Sequence, residues 1–208
     1  MNNIETLANY FKKFPGIGTR QAHRFVYFLL MAQPDFVHEL TERILSVKEG
    51  VVQCMECHRY FERTATGGAA TCPFCNDTLA DRTKLLIVEK DTDLLNIRKS
   101  GAYSGRFFVL GSLIPLTEIR NEHLSPVVSA LKKKVETDAR KELKEVVVAF
   151  SATPEGDHTA FEIKNILEPL QKQYGFVVST LGRGLSTGSE LEYADSETLK
   201  NALENRKN

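Results

Sequence analysis

The sequence predicts an α/β multidomain protein: a helical N-terminal domain, a four-cysteine element, a mainly parallel α/β domain and a short C-terminal strand-helix segment. Three observations carry this. Apolar residues recur at helical spacing from residue 3 to residue 49. All four cysteines fall in one stretch as two C-x-x-C pairs. From residue 84 onward, short β-forming runs alternate with helical patterns, which implies parallel strands covered on both faces. The expected division is 1–53, 54–80, 81–180 and 181–208.

The bulk numbers fit such a protein. A chain of 208 residues with 42% hydrophobic and 26% charged side chains can bury a real core. Its 27 basic and 27 acidic side chains cancel, which argues against coating nucleic acid by bulk attraction and leaves a local basic surface open. The N-terminus lacks the apolar core of a secretory signal. The longest apolar run, FVYFLLMA at 25–32, is too short to span a bilayer, so no membrane association is expected and the chain reads as cytosolic. The last residues, ENRKN, read as a frayed end.

In the N-terminal domain, Ile4, Leu7, Ala8 and Phe11 define a first helix, which Pro15 and Gly16 break. A second helix follows Gly18, with Thr19 as its expected N-cap and Ala22, Phe25, Val26, Phe28, Leu29 and Leu30 as a wide core stripe. The P-G-I-G turn between them resembles a helix-hairpin-helix motif. Gly16 and Gly18 permit a tight turn that exposes N–H groups, and a helix start favours a phosphate. Lys12 and Lys13 precede the turn, and Arg20 and Arg24 share one helix face, a set suited to gripping a DNA backbone without reading sequence. The plainer alternative is a helical hairpin with a solvated basic face. His23 is expected to be solvated. A third helix is expected over 35–49, burying Phe36, Val37, Leu40, Ile44 and Leu45.

The cysteine pairs are Cys54/Cys57 and Cys72/Cys75, separated by 14 residues. Each C-x-x-C turn aims two thiolates at one point, and two such turns complete a tetrahedral sulfur shell for zinc. Pro73 stiffens the second turn, and Gly67-Gly68 lets the segment between the pairs reverse. The alternatives are two disulfides or four unrelated buried thiols; a cytosolic chain disfavours the first. Four cysteine ligands leave no open position, so the metal would be structural. His58 is expected at the surface.

In the α/β domain, strands are expected at 85–89, 107–110, 146–150 and 176–180, and helices at 126–136, at 155–172 and after a cap at Asp91 or Thr92. Ligand sites in parallel sheets form at the carboxyl ends of strands. Glu89 ends one strand run, and Glu155 and Asp157 follow another. If those strands are neighbours, three carboxylates converge and suit magnesium. Alternatively the acids complement helix dipoles. Toward the C-terminus the glycines at 182, 184 and 188 read as a mobile loop, LEY as a short strand and Ser196 as the cap of a last helix.

Taken in order, FPGIGTRQAHRF, the cysteine pairs, LLIVEKDTDLLNI, GAYSGRFFVLGSLIPL and LGRGLSTGSELEYADSETLKNAL resemble the RecR family of bacterial recombination mediators over essentially the whole chain. The resemblance implies that the α/β segment is a Toprim domain. Glu89 and Asp93 match its first acidic motif and Glu155 and Asp157 its second, where this chain has E-G-D and the family more often E-G-E. It further implies a non-catalytic role in recombinational DNA repair: loading of recombinase onto single-stranded gaps with RecO or RecF, a tetrameric ring able to encircle gapped, single- or double-stranded DNA, exchange of terminal segments between subunits, and a bacterial cytoplasmic, nucleoid-associated setting. Arg20 and Arg24 fall where the family carries DNA-contacting basic residues. The C-terminal stretch is described in the family as Walker-B-like, yet the chain has no phosphate-gripping P-loop, so ATP hydrolysis is not expected. Glu89, Asp93, Glu155 and Asp157 are thus expected to hold magnesium or to dock a partner. The rival reading is a Toprim-type magnesium-dependent nuclease. An RNA-associated zinc-ribbon protein would explain the cysteines and leave the C-terminal stretch unexplained.

Overall fold

A computed structural model describes residues 2–63, 71–116, 125–185, 188 and 190–204. The reversal expected at Gly67-Gly68, part of the loop after Gly182 and residues 205–208 of the terminal ENRKN lie outside the described residues, whereas Glu204 still belongs to the last helix. The chain forms two compact units, Met1–Val52 and Gln53–Asn208.

The first unit contains helices α1 (Asn3–Phe11), α2 (Thr19–Met31) and α3 (Pro34–Gly50). Asn2 caps α1 by accepting the Glu5 N–H at 2.9 Å. Helices α1 and α2 meet at Ala8, Ala22 and Val26, whose small side chains let the helices approach closely, with Ile4, Phe11 and Ile17 packed around them. Phe11 adds an edge-to-face contact with Phe25 at 5.5 Å.

Three expectations are corrected in this unit. The N-cap of α2 is Gly18, with Thr19 as the first helical residue, so no side chain caps this helix. Only Ala22 and Val26 of the α2 stripe are buried, while Phe28 and Leu30 stay more than half exposed. No residue of α3 is buried, and Phe36, Leu40, Ile44 and Leu45 are exposed. Helical periodicity identifies an apolar face without saying whether the same chain covers it.

Strand β1 (Val51–Gln53) leads into the second unit, which contains β2 (Tyr60–Glu62), β3 (Asp81–Val88), α4 (Asp91–Ser100), β4 (Gly105–Val109), α5 (Pro126–Ala139), β5 (Glu145–Ala149), α6 (Pro154–Tyr174), β6 (Val177–Thr180) and α7 (Ser196–Glu204). Four strands make one parallel sheet in the order β4-β3-β5-β6. Alternation along β3 divides its core. Leu85 and Ile87 join Phe108, Val146 and Val148 under α5 and α6. Leu86 and Val88 face the other way with Leu94 of α4, Phe107 and Val109, joined by Phe74 from the four-cysteine element. A ten-residue α4 is short for a sheet face, and Phe74 completes the cover.

Register sets the functional edge. Val88 lies opposite Val109 on one side and Ala149 on the other, so β3, β4 and β5 end level. The strand order reverses between β3 and β5, which opens a crevice at their carboxyl ends. The LEY stretch is a 3-10 turn (Leu191–Tyr193) instead of the expected strand, because it has no neighbouring strand to pair with among the described residues. Helix α7 is capped by Asp195, whose carboxylate accepts from Thr198 N at 2.9 Å and Thr198 Oγ1 at 2.7 Å, and Ser196 is its first residue.

Candidate functional site

The four cysteines converge. Their sulfurs all lie within 4.8 Å of one another. The Cys54–Cys75 separation is 3.8 Å and the Cys57–Cys72 separation 3.5 Å. A tetrahedron of sulfurs about 2.3 Å from a central zinc has edges of roughly 3.8 Å, so the arrangement fits a structural zinc. Each close contact joins one C-x-x-C turn to the other, which makes the two pairs one centre. Backbone bonds shape the turns: Cys54 N donates to Arg59 O and His58 N to Cys54 O, both at 2.9 Å, and Cys75 N donates to Cys72 O at 3.1 Å. The Cys72 N–H points at Cys54 Sγ at 3.3 Å.

This element is fastened to the α/β sheet. Val109 N, on the edge strand β4, donates to Cys57 O at 2.8 Å, so the element covers an edge that would otherwise be open. The Arg59 and Arg98 guanidiniums lie 3.9 and 3.8 Å from the centre of the Phe74 ring. Asp91 accepts from Tyr60 N at 3.1 Å and lies 3.9 Å from Arg59. Burial raises its carboxyl above the ordinary value against these two contacts. Asp91 therefore serves the element, and the N-cap of α4 is Lys90, not Asp91 or Thr92. His58, expected at the surface, is half-buried. It sits at φ 60° with its ring 4.9 Å from that of Phe108, and burial lowers its pKa.

The acids gather around the crevice without merging. Glu89, the first residue past β3, pairs with Lys90 Nζ at 2.9 Å. Asp93 closes the start of α4 by accepting from Lys90 N at 3.0 Å. Both line a cleft of about 390 Å³ with Phe150 and Ser151 from the end of β5. Glu155 and Asp157 lie in the first turn of α6, behind the Thr153 cap, which accepts from Gly156 N at 3.1 Å. Asp157 accepts two hydrogen bonds from Arg183, one from Nη1 at 3.2 Å and one from Nη2, and these bonds hold its carboxyl below the usual range. Strands β3 and β5 are neighbours as expected, yet the expected convergence of three carboxylates is absent. Among the described residues the four cysteines are the one such group of ligand atoms within 4.8 Å of each other. Of the three, Glu89 is drawn to Lys90 and Asp157 to Arg183.

The basic residues of the first unit stand around the turn between α1 and α2. Lys12 is the C-cap of α1, Gly16 takes a left-handed φ of 77°, and Gly18 is the N-cap of α2. Lys12, Lys13, Arg20 and Arg24 are exposed. Lys13 Nζ lies 5.0 Å from the Tyr10 ring centre, and Arg24 donates to Gln21 at 3.4 Å. His23 is not simply solvated: Nδ1 contacts Thr19 O at 2.9 Å and Nε2 contacts Glu5 at 3.1 Å, which raise its pKa, the Thr19 carbonyl most.

Sequence reasoning missed three features. Thr159 is fully buried; its hydroxyl accepts from Ile114 N at 2.9 Å and donates to Glu155 O at 2.7 Å, tying a loop to α6. Lys134 and Asp138 are buried on α5 and paired at 3.4 Å, with Arg106 3.1 Å from Asp138 and Glu56 2.9 Å from Lys134. Arg183 is the third. The i, i+4 spacing of Lys134 and Asp138 was the one available signal, and it reads equally as a surface pair.

A parallel α/β domain with acids at the carboxyl ends of its central strands, sealed along one edge by a four-cysteine element, defines a Toprim-class protein with a metal-type cysteine centre. Residues 83–182 match the Toprim domain family, and residues 184–207 match the family described as RecR, C-terminal. The recombination protein RecR of Chloroflexus aggregans is 38% identical over 205 residues, spanning 98% of this chain and 93% of that protein. Those of Chlorobium phaeobacteroides and Lactococcus lactis subsp. cremoris are 34% and 33% identical, each over 98% of this chain and over 95% and 96% of their own length. The chain belongs to the RecR family.

Proposed function

We propose that this protein is a DNA-binding mediator of recombinational repair and not an enzyme: it binds gapped DNA, helps load recombinase onto the single strand together with RecO or RecF, and acts as a self-assembled ring. The observation that carries the DNA-binding part is the start of α2. Its first turn has no side-chain cap and no acid, unlike those of α1 and α6, and it follows a glycine turn flanked by Lys12, Lys13, Arg20 and Arg24. Open N–H groups at the positive end of a helix dipole, ringed by cations, suit a phosphate. Such contacts position DNA without reading bases.

Two further features support the assembly. The uncovered apolar faces of α2 and α3 suit self-association, with Phe28, Leu30, Ile44 and Leu45 exposed. The acids at the crevice suit docking of a basic partner surface, which is the role proposed for Glu89, Asp93 and Glu155. Zinc is proposed as the resident of the cysteine centre. Of the described residues, no helix is long and apolar enough to cross a membrane.

The test is fluorescence anisotropy with labelled gapped duplex across a salt series. Arg20→Glu combined with Arg24→Glu is expected to weaken binding at least tenfold, and each lost phosphate contact should reduce the salt slope by about one. Unchanged affinity and slope would place the DNA-binding surface elsewhere.

A further inference from the structure

We propose that Tyr27 is a base-stacking residue, and that the exposed stripe formed by Arg20, Arg24 and Tyr27 on α2 selects DNA strands with unpaired bases over closed duplex. The inference rests on the DNA-binding reading of α2 and deepens it.

The stripe follows from helix geometry. Arg20, Arg24 and Tyr27 are spaced i, i+4 and i+7, so they share one face of α2. Ala22 and Val26, the buried residues of this helix, pack against α1 on the opposite face. All three residues of the stripe are exposed, Tyr27 to 52%. At about 1.5 Å of rise per residue, Arg24 stands about 6 Å along the axis from Arg20, and Tyr27 about 4.5 Å further. One strand laid along the helix therefore meets two cations and then a ring.

The aromatic side chains of this unit are not equivalent. Phe25 packs against Phe11, and Phe28 turns to α3, where its ring meets Phe36 edge-on at 5.8 Å. Tyr10 has Lys13 Nζ 5.0 Å from its ring centre. Among the described residues no ring or cation stacks on Tyr27. The first turn of α2 holds no acid, so the charge along the stripe is positive and complements a phosphate chain. In a duplex the base faces are already stacked on one another; in a single strand they are free. A ring beside a basic track gains contact with unpaired bases, whatever their sequence. That supplies a preference which phosphate contacts alone do not.

The experiment is fluorescence anisotropy on the full zinc-loaded chain with three labelled probes of equal length: a dT single strand, the same strand carrying abasic sites, and a blunt duplex. Wild type is compared with Tyr27→Leu, Tyr27→Trp and the Arg20→Glu, Arg24→Glu double variant, and light scattering gives the mass of each. Tyr27→Leu is expected to bind the dT strand about tenfold more weakly, the scale of one stacked base. Its salt slope should be unchanged, because no phosphate contact is lost. Its affinity for the abasic strand and the duplex should match wild type, and Tyr27→Trp should bind the dT strand at least as tightly as wild type. Unchanged dT affinity in Tyr27→Leu, with the arginine variant weakened, would overturn the stacking role and leave the DNA-binding reading standing. Unchanged affinity in the arginine variant would overturn that reading and the inference with it. An equal loss on all three probes, or an altered mass in Tyr27→Leu, would make Tyr27 an assembly contact and overturn the inference.

Discussion

Gly156 shows how a single residue constrains the acidic motif. It is buried between Glu155 and Asp157, and a Cβ added there would collide with the Ser151 carbonyl oxygen. The obstacle is backbone, so it cannot swing aside as a flexible side chain would. The glycine therefore lets the loop after β5 fold against the first turn of α6, and that fold sets where Asp157 stands. Gly156→Ala is predicted to cost about 2–3 kcal/mol, measured as a lower denaturant midpoint at unchanged slope. A midpoint within error of wild type would mean that the loop relaxes freely. The hydrogen bonds from Arg183 hold the Asp157 carboxyl below its ordinary value. The pair's contribution is therefore present above the ordinary carboxylate pKa and lost as pH falls through the depressed folded value.

The four-cysteine element is more than a metal knot. It supplies Phe74 to the sheet face, a carbonyl to the edge strand and Glu56 to the buried Lys134. Those contacts depend on turns whose shape the four sulfurs set. Metal removal is therefore predicted to destabilise the whole second unit. Zinc binding energy in peptide models is on the order of 10 kcal/mol, comparable with the entire stability of a domain. Chelation at moderate temperature should release about one zinc per chain and lower the melting temperature of the sheet. An unchanged melt after verified zinc release would show that the sheet stands without the element. At this scale the sequence was informative where chemistry demands spacing. The cysteine pairs and the four β-forming runs identify their elements because thiolate geometry and strand burial leave few alternatives. Helix caps were less legible: Gly18 and Lys90 hold cap positions by backbone conformation, a property that side-chain preference does not report.

For the whole molecule, the order of its parts was legible and the partners of its charges were not. The acids at the crevice could be located from strand ends. That Asp157 faces Arg183, 26 residues away, depends on tertiary folding, and no local pattern encodes it. The same holds for α3, whose apolar face is plain in the sequence while its exposure is not. These two facts shape the functional account. Acids engaged by protein donors suit a scaffold, and exposed apolar helices suit assembly. The central claim, binding without catalysis, is tested most directly by incubating the zinc-loaded protein with end-labelled gapped DNA and magnesium, then running native and denaturing gels on the same sample. The account predicts a retarded native band and intact strands. Strand cleavage that disappears in Asp157→Asn would contradict it and make the acidic motif a catalytic site.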